Sequence, residues 1–137
     1  MTSRLFDLSP LQRAIKRLDE GWARYQLDTG DTQIRDGLIQ RFEFTYEISH
    51  KMLKRFLEAT SPNPAAFDAM AFQDLIRTAN ERGLLLGDWP DWRRFREMRA
   101  RTSHAYDEAI AEGVVAGIPR FLDEIHHLLA QLEQRTS

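Results

Sequence analysis

The stretch "TQIRDGLIQRFEFTYEISHKMLKRFLE", residues 32–58, constrains the fold more than any other part of the chain. Placed at about 100° per residue, Ile34, Leu38, Phe42, Tyr46, Met52, Leu53, Phe56 and Leu57 share one wide face. Glu43, Glu47, Lys51 and Lys54 lie roughly opposite, and Glu47 precedes Lys51 in the favourable i,i+4 order. The stretch therefore predicts one long amphipathic helix whose apolar face must be covered by other helices.

The rest of the chain supplies them. Ser9 followed by Pro10 predicts a helix start, with the serine side chain as cap and the missing proline N–H harmless in the first turn. Leu11, Ile15, Leu18, Trp22 and Tyr25 then form a stripe that "DTGD", residues 28–31, ends. "TSPNP", residues 60–64, is a loop. A short helix around Phe72, Leu75, Ile76 and Ala79 is expected to close at Gly83. A fourth starts near Pro90 or Asp91 and runs to about Thr102. The last begins near Asp107 as cap and carries Ile110, Val114, Ile118, Leu122, Ile125, Leu129 and Leu132, with a kink or restart at Pro119. No strand pattern persists, so the 137 residues read as one all-α domain, an up-and-down bundle of four or five helices.

Phe44 and Ile48 stand off the main stripe of the long helix. Either they meet another helix of the same chain or they form a subunit interface, because an exposed Phe–Ile pair is costly in water.

The 19 basic and 21 acidic residues nearly cancel, leaving a formal charge of -2, so any nucleic-acid contact must come from a local patch. The absence of cysteine removes disulfides, thiolate metal sites and a cysteine nucleophile. No secretory signal and no run of about 20 apolar residues is present. The expectation is a cytoplasmic protein that needs no membrane. No phosphate-cradling glycine loop, His-x-x-x-His or two-His-one-carboxylate spacing occurs, and no cofactor or metal is expected. Glu43 and Glu47 read as surface or interhelical pairs.

The chemistry concentrates in "REMRARTSHAYDE", residues 96–108. With Trp92 at 0°, Phe95, Met98 and Thr102 fall at about 300°, 240° and 280° on the fourth helix, and Arg99 at about 340° lies inside that stripe. Arg94 and Arg101 face away. An inward guanidinium needs a partner. That partner is either a structural glutamate on a neighbouring helix or a phosphate, which arginine binds through two parallel hydrogen bonds. His104, suited to proton transfer near neutral pH, cannot join Arg99 on one straight helix. Cooperation needs a break at Thr102–His104 or a second subunit. His126 and His127 read as surface or capping residues.

These two segments, "RDGLIQRFEFTYEISHKMLKRFLE" and "RARTSHAYDE", resemble the nucleotidyltransferase substrate-binding proteins of the HEPN superfamily, which include the HepT toxins. The resemblance covers about residues 11–130. It implies a HEPN-like helical bundle that forms homodimers, and a minimal nucleotidyltransferase as partner and antitoxin. It further implies a metal-independent ribonuclease in a cleft between subunits. Arg99 would then hold the scissile phosphate, His104 would move protons, and Tyr106 would be the tyrosine that the antitoxin modifies with AMP. Arg96, Arg101 and Ser103 would support the site or bind RNA. The residue after the motif arginine is typically polar in the family, whereas Ala100 stands here. The alternative function is a non-catalytic subunit that serves a nucleotidyltransferase.

Overall fold

The computed structural model describes residues 6–136 as five α-helices and no strands. They are α1 (Ser9–Leu27), α2 (Thr32–Ala59), α3 (Phe72–Glu81), α4 (Trp89–Arg101) and α5 (Glu108–Thr136). Short 3-10 turns occupy Pro64–Phe67 and Thr102–His104. The bundle is the expected up-and-down one. Side-chain pairings fix its directions. Thr45 bonds the Ala14 carbonyl, so α2 runs back along α1. Asp19 meets His126 and Gln12 meets Glu133, so α5 runs back along α1. Asp91 meets Arg120, so α4 and α5 are antiparallel.

The long amphipathic helix does what its pattern requires. Leu38, Phe42, Tyr46, Met52, Leu53, Phe56 and Leu57 are all buried. At the centre, Phe121 of α5 lies 4.9 Å from Phe42 and 5.2 Å from Phe95, ring centroid to centroid, and edge-on to both. Trp92 is fully buried against Phe95 at 5.3 Å. Burying side chains of this size contributes about 1.5–3 kcal/mol each, which is what secures α4 to α5. Gly117 permits the approach, since a Cβ there would come within 2.5 Å of the Met98 sulfur.

Helix ends mostly follow the sequence. Gly83, with φ of 77°, closes α3 in the left-handed conformation, and the N–H groups of Gly83 and Leu84 bond the carbonyls of Asn80 and Ala79. The Asp107 carboxylate accepts the Ile110 N–H at the start of α5. Two expectations are corrected. Ser9 does not cap α1: its own N–H donates to the Asp7 carboxylate and the capping position falls on Leu8. Nor does α5 restart at Pro119, because neighbouring hydrogen bonds and packing on both sides carry the helix through. Among the described residues, no helix is long and apolar enough to cross a membrane.

Candidate functional site

Arg99 leaves α4 on the side facing α2, two residues before that helix ends. Its Nε donates to Glu47 Oε1 at 3.1 Å and its Nη2 makes a short bond to the same oxygen. Nη1 donates to Thr102 Oγ1 at 3.1 Å and lies 3.4 Å from Glu43 Oε2. The inward angle read from the sequence is thus correct, and the interhelical glutamates are its partners. Two carboxylates and one guanidinium leave the cluster with an excess negative charge. The bonds to Glu47 hold the guanidinium further above its already high pKa. Beside it the Tyr46 phenol is pushed up to about 12 by burial, a rise that Arg96 and Arg99 oppose.

After Arg101 the helix tightens into the 3-10 turn Thr102–His104. Thr102 drives this break. Its buried hydroxyl donates back to the Arg99 carbonyl at 2.7 Å while accepting from the Arg99 side chain, competing with the helical pattern. The turn carries His104 into solvent, and its ring lies 6.2 Å from that of Tyr106, which is 85% exposed. Arg99 and His104 share no hydrogen bond: one is held against α2 and the other projects outward. The turn is anchored at its far end as well. Arg35 of α2, 6% exposed, forms a two-pronged bridge to Glu108, the first residue of α5, at 2.6 and 3.1 Å.

Residues 6–134 match the family model "Nucleotidyltransferase substrate binding protein like". The chain belongs to that family. It is 40% identical over 124 residues to the "Probable ribonuclease HepT" of Haemophilus influenzae, spanning 90% of this chain and 84% of that one. It also superposes on a solved Haemophilus influenzae protein described as having the fold of a substrate-binding domain of a nucleotidyltransferase. The TM-score is 0.86 at 36% identity, over 93% of this chain and 99% of that one.

The remaining candidates separate clearly. Arg101 and Arg94 are exposed and line an open groove between α4 and α5. Arg96 packs its guanidinium 5.8 Å over the Phe72 ring, whose edge also meets His50 at 4.6 Å. Burial foremost, then Lys54 and Arg96, holds the His50 imidazole below its ordinary pKa. Ser103 is exposed and its hydroxyl reaches the Ala100 carbonyl at 3.3 Å. The Ala100 methyl faces solvent and offers no hydrogen bond. Phe44 and Ile48 are half-buried along the α1–α2 seam, where Ile48 packs against the core. His126 pairs with Asp19 and His127 reaches the Gly83 carbonyl at 3.2 Å, so both tie α5 to its neighbours well before its end.

Two charged residues went unread in the sequence. Arg35 stands three, four and seven residues before Leu38, Ile39 and Phe42, a buried position by helical spacing. Glu124, 3% exposed, lies between Phe121 and Leu128 on the inner stripe of α5. It accepts the N–H groups of Leu86 and Gly87 at 2.6 and 2.8 Å and the indole N–H of Trp92 at 2.9 Å. Both positions were visible as charges on an apolar stripe. Among the described residues, no group of three His, Asp or Glu side chains is set to hold a metal ion.

Proposed function

We propose that this protein is a HepT-like endoribonuclease toxin, acting as a homodimer and neutralised by a minimal nucleotidyltransferase. The observation that supports this most is the turn after Arg99. An inward arginine is followed by a helix break that exposes a histidine and a tyrosine side by side, in a chain 40% identical to a protein named as a ribonuclease. Arg99 binds the scissile phosphate and offsets the charge that grows on its oxygens. The ribose 2′-oxygen attacks phosphorus, the 5′-oxygen leaves, and His104 carries the proton for one of these two steps. The products are a 2′,3′-cyclic phosphate and a 5′-hydroxyl. The cleft forms where the exposed turns of two subunits meet. The exposed Tyr106 hydroxyl accepts AMP from ATP through the partner enzyme, with release of pyrophosphate, and the added group blocks the cleft.

A second reading is a non-catalytic subunit of a nucleotidyltransferase. The occupied donors of Arg99 and the methyl of Ala100 favour it. Single-stranded RNA incubated with the purified protein in a chelator separates the two. The toxin reading expects cyclic-phosphate ends, and a loss of roughly 100-fold or more in His104→Ala. RNA left equally intact by both proteins establishes the accessory subunit instead. Independently, incubation with the nucleotidyltransferase and ATP should add AMP to the peptide holding Tyr106 and not to Tyr106→Phe.

A further inference from the structure

The α1–α2 seam is a different surface from the α2–α4 seam that holds Arg99. An open groove of about 340 Å³ runs along it, lined by Pro10, Arg13, Ala14, Arg17, Phe44 and Ile48. A second hollow of about 170 Å³, lined by Gly21, Arg24, Ile34, Gly37, Leu38 and Arg41, lies further along the same seam, beyond the Arg41 side chain that crosses to the Arg17 carbonyl. The floor is apolar and the walls are arginine. No carboxylate lines either part. Further along α2, Lys51 and Arg55 are exposed and fall within about 20° of Phe44 by helical angle, extending the basic wall past Ile48. Glu20, between Arg17 and Arg24, and Asp7, whose carboxylate acts on Arg13, are exposed at this face and offset part of the charge.

This concentration of positive charge stands out in a chain whose formal charge is -2. Among the described residues, Arg13, Arg17, Arg24, Lys51 and Arg55 have no ion-pair partner within 4 Å, while Arg41 donates to the Arg17 carbonyl. From Pro10 to Arg24 the seam spans about 21 Å, roughly four turns of helix.

We infer that the α1–α2 groove is the docking site for an acidic amphipathic helix of a partner protein. Its apolar face covers Phe44 and Ile48 and its carboxylates meet the arginine walls. Charge decides among the occupants. A second copy of this chain, packed by a two-fold axis, would set arginine wall against arginine wall. RNA would satisfy the arginines but would lay a polar backbone on an apolar floor. An acidic helix with apolar anchors four residues apart matches both features, in the helix-in-groove mode. The inference stands whether or not the protein cuts RNA.

The probe is a synthetic helical peptide of about five turns, with leucines at i and i+4 on one face and glutamates elsewhere. The control is a polyglutamate peptide of equal charge. Calorimetry should show the leucine peptide binding at least tenfold tighter than the control, and more weakly as salt rises. Side-chain methyl resonances of Ile48 should shift on binding. Arg13→Glu with Arg17→Glu, in a protein that melts like wild type, and separately Ile48→Ser, in a protein whose circular dichroism matches wild type at the assay temperature, should each weaken binding at least tenfold. Equal binding of the two peptides overturns the proposal. So does an oligoribonucleotide whose binding depends on Arg13 and Arg17 and shifts Ile48, which would make RNA the occupant. So does conversion of dimer to monomer by Ile48→Glu in sedimentation, which would make a second copy the cover.

Discussion

Glu124 and Arg99 are both charged residues on inward helix faces, of α5 and α4, and their surroundings differ in stoichiometry. At Glu124 three N–H donors from the α3–α4 connection and Trp92 converge on one carboxylate that is 3% exposed, on the wall of a hollow lined also by Leu86, Gly87 and Asp91. Among the described residues, no cation lies within ion-pair distance of it. At Arg99 two carboxylates converge on one guanidinium, and all three side chains are open to solvent: 32% for Arg99, 33% for Glu43 and 51% for Glu47. The first arrangement satisfies donors and acceptors together and has nothing to gain from rearranging. The second holds surplus charge in contact with water, where an ion pair contributes little to stability. Folding depends on the first kind, and ligand exchange is open to the second.

The largest effect is expected where the match is complete. Glu124→Leu keeps a side chain of similar reach and leaves three donors without their acceptor, the buried indole of Trp92 and the part-buried N–H groups of Leu86 and Gly87. The expected cost is about 3–4 kcal/mol in urea unfolding, with an unchanged m value. A cost below about 1 kcal/mol would mean that water replaces the carboxylate, and the contrast with Arg99 would fail. The Arg35–Glu108 bridge lies between the two extremes, buried at one end and exposed at the other. Arg35→Met should cost about 1–2 kcal/mol, since Glu108 is free to hydrate once its partner has gone. Its dependence on pH has a defined sign. Hydrogen bonding to Arg35 lowers the Glu108 carboxyl below its ordinary 4.5, so on acidification the unfolded chain takes up the proton first. The stability gap between wild type and variant should therefore be constant above 4.5 and close as pH falls through the lower folded value. A gap that stays unchanged in acid would show that Arg35 acts by packing alone.

Most of the bundle could be read from helical spacing because burial follows periodicity directly. The stripe of α2 and the inward angle of Arg99 are geometric consequences of about 100° per residue. The break at Thr102–His104 was legible in its residue types. What spacing does not carry is the partner of a polar group. Arg35 meets Glu108 across 73 positions and Glu124 meets Gly87 across 37, and such pairings exist only once the helices are placed. The start of α1 departs from its sequence signal for a local reason: the helix begins one residue earlier, so Ser9 lies inside its first turn with its own N–H bonded to Asp7, whose carboxyl is drawn below the ordinary range by the Ser9 backbone. Glu43 and Glu47 were legible as surface or interhelical pairs and Arg99 as needing a glutamate or a phosphate, but which glutamates close on it was not.

That clasp gives the smallest and most informative test of the comparison. A guanidinium has five N–H groups. In Arg99, Nε and one hydrogen of Nη2 go to Glu47, and those of Nη1 go to Thr102 and towards Glu43. One N–H is left, whereas two-pronged phosphate recognition takes two parallel ones. A phosphate bound through the parallel Nε and Nη2 donors must therefore displace the Glu47 carboxylate, against its charge. Glu47→Gln preserves the shape of the contact and removes that charge. Inorganic phosphate should then bind about tenfold tighter, about 1.4 kcal/mol, with the Arg99 Nε–H resonance reporting the exchange and Arg99→Gln abolishing it. Stability should change by less than about 1 kcal/mol, as for an exposed ion pair. Unchanged phosphate affinity would show that Glu47 does not compete. A stability loss above about 2 kcal/mol would place the cluster beside Glu124 as a structural fixture, and its surplus charge would need another reason.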